Sequence, residues 1–453
     1  MMELKGKKVL VVGLGKSGLA AALFLRRRGA QVTVSDVRSA EALAKEIPAL
    51  IEEGIMVEAG GHGLLTFRRQ DLIVVSPGVP LDTPELAQVK SFGLPVIGEL
   101  ELAGRFLKGK ILAVTGSNGK TTTTTLLGEI LTAAGLPTLV GGNIGVPVVA
   151  LIDSSTDETW SVLEVSSFQL ETTEQFHPFI AVILNITPDH LDRHGSFENY
   201  ARIKERIFAQ QTAEDCLVLN ADNPRAVKAA VHPAARVYWF SIEHPVPQGA
   251  WLESGYVVYR SAGNAATETV MPLSGIPLKG AHNVENVLAA VVAARQAGVP
   301  ADVICRAVEK FQAVEHRLEY VATRKGVEFY NDSKATNVDA TAKAIAAFSS
   351  GIHLILGGKD KNSDYTQLAD LLRQRVSAVY TIGAAAAKIE SHLRGVVSIY
   401  SCETMDKAVA AAAAAARPGE FVVLAPACSS YDQFENYEQR GTVFKQLVKD
   451  LKE

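Results

Sequence analysis

The hydrophobic positions of the chain fall into short apolar runs, separated by helix-like segments and polar turns. Residues 8–12, 31–35 and 72–75 are runs of this kind. Continuous apolar runs of this length are typical of strands buried on both faces of a parallel sheet. Because helical segments alternate with the runs, the pattern predicts an α/β fold. Further runs cover residues 111–114, 138–142, 160–165, 180–184, 216–219, 352–356, 378–382 and 421–424.

Other stretches have different periods. Residues 200–208 have a helical period with Ile203, Ile207 and Phe208 on the buried face, so Lys204 belongs to the charged outer face by default. Residues 236–275 alternate and contain glycine, which predicts short antiparallel strands. Residues 280–286 open a long helix, in which Asn283 and Asn286 share a face.

The length of 453 residues predicts about three domains, since one hydrophobic core stops growing well below this size. We place them at residues 1–98, 99–313 and 314–453. The first and last have Rossmann-like alternation of strands and helices. The central domain contains a phosphate-binding loop and a mainly parallel sheet.

The composition of the chain argues against several classes of protein. The net charge of -4 gives no basic footprint for nucleic acid or an anionic membrane. No apolar run approaches the ~18–20 residues that span a bilayer. The four cysteines are widely spaced, which favours reduced thiols over a disulfide scaffold or a zinc site. We expect a cytoplasmic, monomeric protein that acts on small molecules.

A phosphate-binding loop organises the centre of the chain. The run 111–114 leads into TGSNGKTT, residues 115–122, and an apolar helix is predicted for residues 126–134. In such a loop, backbone N–H groups and a helix N-terminus bind phosphates. Lys120 would reach the terminal phosphates and Thr121 would bind Mg²⁺. The generic pattern requires glycine where this chain has Val114, and a plain turn is the alternative.

Two side chains follow neighbouring strands of the same predicted sheet. Glu164 lies close to the carboxyl end of the run 160–165, and His190 follows the run 180–184. Because carboxyl ends of parallel strands share one edge, both side chains are expected near the bound phosphates. Glu164 suits Mg²⁺, which prefers oxygen ligands. The alternatives are a turn cap for Glu164 and a loop hydrogen bond for His190.

The first hundred residues carry a second nucleotide signature. GLGKSG, residues 13–18, follows the first strand, and Asp36 ends the second. This is the Rossmann arrangement, in which the acid binds a ribose. It suits NAD or the diphosphate and ribose of another nucleotide. A further strand end, from Ser76 to Pro80, presents backbone N–H groups at the same edge.

The last domain offers two lysine cations and a serine hydroxyl near its strand ends. Lys334, Lys361 and Ser430 each follow an apolar run. Such a cluster suits an anionic small molecule, although solvated surface lysines are the alternative.

Many segments together resemble the Mur ligase family, whose phosphate loop is shared by folylpolyglutamate synthetases. They are TGSNGKTT, GGNIG, LEVSSFQLE, NITPDHLDRH, YARIKERIF, GAHNVEN, EHRLE, NDSKATN and LAPACSSYDQFENYEQRG. The resemblance covers nearly the whole chain. It implies an ATP-dependent amide ligase with UDP-binding, ATP-binding and amino-acid-binding domains. The last two segments resemble members that join D-glutamate to UDP-N-acetylmuramoyl-L-alanine through an acyl phosphate, for peptidoglycan synthesis.

The resemblance also implies residue roles. Catalysis would involve Lys120, Glu164, His190, Lys204 and Lys361, with two Mg²⁺ ions held by Thr121, Glu164, His190 and a carbamylated Lys204. ATP would be bound by Gly116, Ser117, Asn118, Gly119, Lys120, Thr121, Thr122, Asn283, Asn286, Arg317 and Asp332. The UDP-substrate would be bound by Lys16, Ser17, Asp36, Arg38, Ser76, Gly78 and Asn143. The acceptor would be bound by Lys334, Thr336, Lys361, Ser430, Tyr431 and Tyr437.

Two classes of protein remain as rivals. A nicotinamide-dependent oxidoreductase would explain the first domain but not TGSNGKTT. A non-catalytic nucleotide-binding regulator would not need the lysines of the last domain. Within the family, another Mur ligase or a folylpolyglutamate synthetase is the nearest alternative.

Overall fold

The computed structural model describes residues 2–231, 233–263, 266–312 and 314–451. Its strands form sheets of five, nine and six members, and helices alternate with most of the strands. This arrangement confirms the predicted α/β class. A Rossmann-like sheet forms from each end of the chain, and the middle of the chain forms a larger, mainly parallel sheet.

The first sheet is wholly parallel, with the order β3-β2-β1-β4-β5. The chain moves from β1 outward in one direction and then returns to the other side of β1, so the crevice between β1 and β4 is the ligand-binding position of such sheets. The strands are β1 (Lys8–Val12), β2 (Gln31–Asp36), β3 (Met56–Ala59), β4 (Leu72–Val75) and β5 (Val96–Gly98). The helices are α1 (Lys16–Arg27), α2 (Ile47–Glu52), α3 (Leu64–Arg68), α4 (Pro84–Ser91) and α5 (Glu99–Gly104).

The second sheet has the order β14-β13-β12-β11-β10-β9-β6-β8-β7. Its strands are β6 (Lys110–Thr115), β7 (Thr138–Gly142), β8 (Trp160–Glu164), β9 (Ile180–Ile183), β10 (Cys216–Asn220), β11 (Arg236–Ser241), β12 (Gly249–Glu253), β13 (Tyr256–Arg260) and β14 (Glu268–Pro272). Its helices are α6 (Lys120–Ala133), α7 (Ser167–Leu170), α8 (Leu191–His194), α9 (Phe197–Glu205), α10 (Pro224–Ala229), α11 (Ala281–Gln296) and α12 (Ala301–Lys310). Short 3₁₀ turns cover Val148–Ser154, Arg206–Phe208 and Leu273–Gly275.

Two predictions for this region are wrong in part. Strands β11 and β12 are parallel to β10, whereas β13 is antiparallel to β12 and β14 is antiparallel to β13. Helix α10 carries the chain back before β11, and a crossover of this kind returns a strand in parallel. Helix α6 begins at Lys120, six residues before the predicted start, because the threonine run itself is helical and buried.

The third sheet has the order β15-β16-β20-β17-β18-β19, and only β15 is antiparallel to its neighbour. Apolar clusters cover its two faces. The strands are β15 (Glu319–Arg324), β16 (Val327–Asn331), β17 (Ile352–Gly357), β18 (Val376–Ile382), β19 (Ile399–Glu403) and β20 (Phe421–Leu424). The helices are α13 (Val338–Ala346), α14 (Ala369–Arg375), α15 (Ala386–His392), α16 (Met405–Ala415) and α17 (Tyr437–Asp450), with a 3₁₀ turn at Tyr365–Leu368.

The contacts divide the chain into two compact units. The first comprises Met1–Ile186, Glu198–Leu273 and Leu288–Ala307, and therefore holds the first two sheets. The second comprises Thr187–Phe197, Ser274–Val287 and Val308–Glu453. The predicted domain boundaries at 98/99 and 313/314 stay predictions, and Ala313 lies outside the described residues. Among the described helices, none has the length and apolarity to cross a membrane.

Candidate active site

The phosphate-binding loop joins β6 to α6 in the first unit. Gly119 is the N-cap of α6 with φ 88, a left-handed conformation that favours glycine. The Lys120 ammonium donates to the carbonyl oxygens of Gly116 (2.9 Å) and Ser117 (3.0 Å). The loop therefore has the strand–turn–helix setting that its sequence predicts, with Lys120 folded along it.

Two residues that the sequence did not single out fix the shape of this loop. The side-chain oxygen of Asn185 accepts from Asn118 N at 2.9 Å, and its amide donates to Asn118 O at 3.1 Å. The Tyr200 hydroxyl lies 3.0 Å from Ser117 Oγ. Asn185 directly follows β9, and the position of a polar residue after a strand was the available signal for it.

Glu164 lies at the end of β8 with 1% of its surface exposed. Thr121 Oγ1 donates to one carboxylate oxygen at 2.8 Å, and Asn143 Nδ2 donates to the other at 2.7 Å. The structure thus brings Thr121, Asn143 and Glu164 together beside the loop. The strand-end argument concerned Glu164 and His190, and its placement of both near bound phosphates stays a prediction. A hydroxyl and a carboxylate beside a phosphate-binding loop are the oxygen ligands that Mg²⁺ prefers, so this set fits the ion.

Lys204 is buried, and the default assignment to a charged outer face is wrong. Its side chain is 1% exposed, and its ammonium donates to Gly116 O at 2.8 Å and to Thr115 Oγ1 at 3.4 Å. The ammonium also lies 4.8 Å from the centre of the Tyr200 ring. Helix α9 therefore directs Lys204 at the phosphate-binding loop.

The residues that the sequence predicts to bind a ligand in the first sheet lie at the carboxyl ends of β1, β2 and β4. Asp36 ends β2 and accepts hydrogen bonds from Leu14 N (2.7 Å) and from the guanidinium of Arg38 (2.9 Å). Burial alone would raise the pKa of Asp36, but these hydrogen bonds outweigh it and hold the pKa below its usual value. Ser76 Oγ donates to Gly13 O at 2.7 Å, which ties β4 to the glycine loop.

Gly18 shows why this loop needs glycine, since a Cβ there would lie 1.9 Å from Gly13 O. Lys16 and Ser17 form the first turn of α1, directly after the loop. Gly78 lies in the turn after β4. Lys16, Ser17 and Gly78 therefore lie after strands, at the carboxyl edge where the sequence predicts a nucleotide site.

The second unit holds four of the residues predicted to bind ATP, which are Asn283, Asn286, Arg317 and Asp332. Asn286 Nδ2 donates to Asn283 Oδ1 at 3.2 Å, which confirms that the two side chains share a face of α11. Burial raises the pKa of Asp332 to about 7, although the nearby Arg317 opposes the shift.

The predicted acceptor residues lie at the carboxyl edge of the third sheet. The Lys334 ammonium lies 3.6 Å from the centre of the Tyr437 ring, a cation–π contact. Thr336 N donates to Lys334 O at 2.8 Å. Ser430 is buried, whereas Tyr431 is 68% exposed. Lys361 is paired with Asp189 at 3.7 Å, so it is not a solvated surface charge.

Arg440 is a further residue of this edge that the sequence analysis did not identify. Its guanidinium is buried and donates to the carbonyl oxygens of Ser333 (2.8 Å) and Cys428 (3.1 Å). It therefore links the loops that carry Lys334 and Ser430. Its helical position within α17 gave no hint of this, because a charged residue on a C-terminal helix is ordinarily exposed.

His190 belongs to the second unit, with Lys361, rather than to the first unit with Glu164. Its backbone is left-handed, with φ 52 and ψ 35. Its Nε2 lies 3.7 Å from the carboxylate of Asp189.

Comparison with known proteins accounts for all three sheets. Residues 7–98 match the Mur ligase MurD-like N-terminal domain, residues 114–294 the Mur ligase middle domain, and residues 316–428 the Mur ligase glutamate ligase domain. A UDP-N-acetylmuramoylalanine--D-glutamate ligase of Acidobacterium capsulatum is 71% identical over 447 residues, which cover 99% of this chain and 97% of the relative. The chain belongs to the Mur ligase family.

Further relatives and solved structures support the membership of this chain in the Mur ligase family. A UDP-N-acetylmuramoylalanine--D-glutamate ligase of Koribacter versatilis is 57% identical, with 100% of this chain and 99% of the relative covered. Among solved structures, a pseudomurein peptide ligase type C from Methanothermus fervidus matches with a TM-score of 0.61 at 21% identity, over 99% of this chain and 100% of that one. UDP-N-acetylmuramate-alanine ligase from Thermotoga maritima matches with a TM-score of 0.60 at 19% identity, over 98% of this chain and 100% of that one. These structures show that the fold is shared.

Proposed function

We propose that this Mur ligase joins D-glutamate to UDP-N-acetylmuramoyl-L-alanine at the expense of ATP, in peptidoglycan precursor synthesis. The observation that carries this function is the 71% identity to a UDP-N-acetylmuramoylalanine--D-glutamate ligase over 99% of the chain. Membership of the family removes the oxidoreductase and the non-catalytic regulator as rivals. The glycine loop of the first sheet then serves UDP rather than NAD.

The reaction is the ATP-driven formation of an amide. The carboxylate of the UDP-substrate attacks the γ-phosphorus of ATP, and ADP leaves. The amine of D-glutamate then attacks the resulting acyl phosphate, loses a proton and expels phosphate. Phosphoryl transfer depends on positioning and on neutralising charge, and Lys120 supplies a cation beside the loop that holds the phosphates.

Magnesium belongs at Thr121 and Glu164, whose oxygens lie together beside the loop. When bound, Mg²⁺ neutralises charge on the phosphates. We propose two ions, with His190 and a modified Lys204 as further ligands. Asn143 holds Glu164 in orientation and contacts the incoming UDP-substrate.

Lys204 is proposed to act as a carbamate. The neutral amine adds to the carbon of CO₂ and loses a proton, so that a cation becomes an oxygen anion able to bind metal. Support comes from its burial and from its 2.8 Å contact with Gly116 O in the phosphate loop. A lysine with no role at the loop would be expected in solvent.

The remaining residues are proposed to bind the substrates. The set for the uridine and diphosphate belongs to the first unit and the set for D-glutamate to the second, whereas the ATP set draws on both. For the uridine and diphosphate they are Lys16, Ser17, Asp36, Arg38, Ser76 and Gly78; for ATP they are the loop residues 116–122 with Asn283, Asn286, Arg317 and Asp332; for D-glutamate they are Lys334, Thr336, Lys361, Ser430, Tyr431 and Tyr437.

We also propose that the enzyme works as a cytoplasmic monomer with domain boundaries near residues 98 and 313. Its substrates are cytosolic nucleotide and amino-acid metabolites, and none of its four cysteines is in a disulfide. Size-exclusion chromatography with light scattering would test the monomer.

A substrate panel tests the function. Phosphate release from ATP is measured with UDP-N-acetylmuramoyl-L-alanine and, in turn, D-glutamate, L-glutamate, L-lysine and diaminopimelate. We expect release with D-glutamate alone, and a product heavier by one glutamyl residue. Equal or faster turnover with another amino acid would reassign the acceptor while leaving the ligase class intact.

A further inference from the structure

Asp189 joins the start of the segment Thr187–Phe197 to the acceptor edge of the third sheet, and all of these residues belong to the second unit. Its carboxylate accepts a hydrogen bond from Asn337 Nδ2 at 3.0 Å and pairs with the Lys361 ammonium at 3.7 Å. The Asp189 side chain is 10% exposed and that of Lys361 is 20% exposed. One carboxylate therefore contacts the loops after β16 and after β17.

The Asp189 carboxylate also contacts the backbone of His190, the next residue in the chain. His190 N donates to Asp189 Oδ1 at 2.9 Å, and the backbone at His190 is left-handed, with φ 52. A residue other than glycine rarely adopts this conformation, and it persists where the surrounding contacts enforce it. Asp189 supplies one such contact, so it influences the direction in which the His190 ring leaves the chain.

We infer that Asp189 is a positioning residue of the ligase reaction, which holds Lys361 and His190 in their working places without touching the reacting atoms. This inference rests on the proposed function. A free lysine side chain loses rotamer freedom when it is fixed, and an ion pair formed before the substrate arrives removes part of that freedom in advance.

A carboxylate is the group that this position requires. It offers two acceptor oxygens, so it can receive the amide of Asn337 and the backbone of His190 while carrying the charge that pairs with Lys361. An asparagine offers one acceptor oxygen and no charge. The substitution Asp189→Asn therefore keeps the size of the side chain and removes the pairing.

A purely structural anchor is the competing explanation, and the chain offers a matched control. Asp339 accepts from Thr187 Oγ1 at 3.3 Å, so it also holds the segment, and it pairs with Lys343 on α13. Asp339→Asn weakens the anchoring of the segment and leaves the Asp189–Lys361 pair in place.

The first test needs no turnover. The full-length enzyme is treated with limiting amounts of an amine-acylating reagent, and modification of Lys361 is measured by mass spectrometry. We expect severalfold faster labelling of Lys361 in Asp189→Asn than in wild type, with Asp339→Asn unchanged. Equal labelling of Lys361 in all three proteins would overturn the inference.

The second test is kinetic. Asp189→Asn should raise KM for D-glutamate and lower kcat, with a combined loss of ~10–100-fold, the range seen for residues that orient catalytic groups. KM for the UDP-substrate should stay within twofold of the wild-type value. Adding Lys361→Met to Asp189→Asn should cost less than Lys361→Met costs alone, because residues that act as a unit are not additive.

The outcomes separate the two proposals. If the wild-type enzyme does not ligate D-glutamate, the proposed function fails. If it does, and Asp189→Asn keeps wild-type kinetics or loses no more than Asp339→Asn, the positioning role alone is wrong. Independent, multiplying effects of the two substitutions would also contradict it.

Discussion

At the scale of single residues, two lysines converge on one backbone oxygen. The ammonium groups of Lys120 and Lys204 donate to Gly116 O at 2.9 and 2.8 Å. They reach it from different helices, α6 and α9. In this unmodified form two cations lie beside the loop; the carbamate proposed for Lys204 would replace one of them with an oxygen anion, and Lys120 would remain as the cation that opposes the negative charge of the transferred group.

Lys120→Ala should abolish turnover while the fold is kept, because the substitution removes one positive charge beside the phosphate-binding loop and no atoms of the hydrophobic core. We expect a loss of ~100-fold or more in kcat, the scale of deleting one transition-state electrostatic donor. The assay is phosphate release, beside circular dichroism and a melting curve. Lys228→Ala, on the exposed face of α10, is the control and should retain activity. Wild-type turnover with alanine at 120 would refute the loop assignment.

Lys204→Ala should also be inactive, and acetate or another small carboxylic acid should restore part of the activity. The acid would supply the oxygen anion that the missing carbamate provided beside the metal. Activity is measured in acetate and in chloride at equal ionic strength, with Lys120→Ala as a variant that acetate should not rescue. Full activity of Lys204→Ala without acetate would end the carbamate proposal.

Lys204 also marks what a residue pattern can and cannot predict. The helical period correctly identified α9, but it assigned Lys204 to solvent because a lysine between apolar positions is ordinarily exposed. Its partner is a carbonyl oxygen 88 positions earlier in the chain, and such a contact has no local signal. Only the resemblance of YARIKERIF to the family gave it a role.

At the scale of single elements, helix α5 carries two buried glutamates in contrasting surroundings. Glu101 accepts from the backbone of Glu174, Gln175 and Phe176 and from Arg105. Glu99 accepts from Val149 N at 2.8 Å, and its other oxygen has no hydrogen-bond partner. Burial raises the pKa of Glu99 to about 7.

Glu99→Gln should stabilise the enzyme at pH 8 and give no gain at pH 5. The folded-state pKa of about 7 lies above the usual glutamate pKa of 4.5, so the ionised carboxylate is disfavoured by the fold. Its contribution to stability is present below about pH 4.5 and is lost as the pH rises through 7. We expect a gain of about 1–2 kcal/mol at pH 8, because a neutral amide escapes part of this cost.

Urea unfolding at both pH values measures this difference. Glu101→Gln is the matched control on the same helix, and it should destabilise the enzyme at pH 5 and at pH 8, since it weakens the acceptor of several backbone N–H groups. A gain from Glu99→Gln that is equal at the two pH values would contradict the account.

Most elements were predictable because each follows from a local pattern. The strands β1, β4, β7 and β20 have the predicted bounds, since short apolar runs between turns allow few other structures. The direction of β11 was not predictable in this way. Alternation determines which face of a strand is buried, whereas direction depends on the path by which the chain returns.

At the scale of the whole molecule, the predicted chemistry is divided between the two units. Lys120, Glu164 and Lys204 belong to the first, and His190, Lys334 and Lys361 belong to the second. Strand-end reasoning placed His190 with Glu164 because it treats a residue after β9 as part of that sheet. Asp189, next to His190 in the chain, accepts a hydrogen bond from Asn337, which follows β16 of the third sheet. The placement of His190 near Glu164 stays a prediction.

Solution scattering should show a smaller radius of gyration when the UDP-substrate and a non-hydrolysable ATP analogue bind together. The acceptor amine must come within ~3–3.5 Å of the acyl carbon, and the acyl phosphate must be kept from water. We expect a closure of domains to meet both requirements. An unchanged scattering profile at saturating ligand would count against this closure, and either ligand alone serves as the control.

The central claim is that one site makes an acyl phosphate and passes it to D-glutamate. The direct test uses UDP-N-acetylmuramoyl-L-alanine with both carboxylate oxygens labelled with ¹⁸O, together with ATP, Mg²⁺ and D-glutamate. Mass spectrometry should find one labelled oxygen in the released phosphate and one in the amide product, because the attacking oxygen leaves with the phosphate. Unlabelled phosphate would contradict the account.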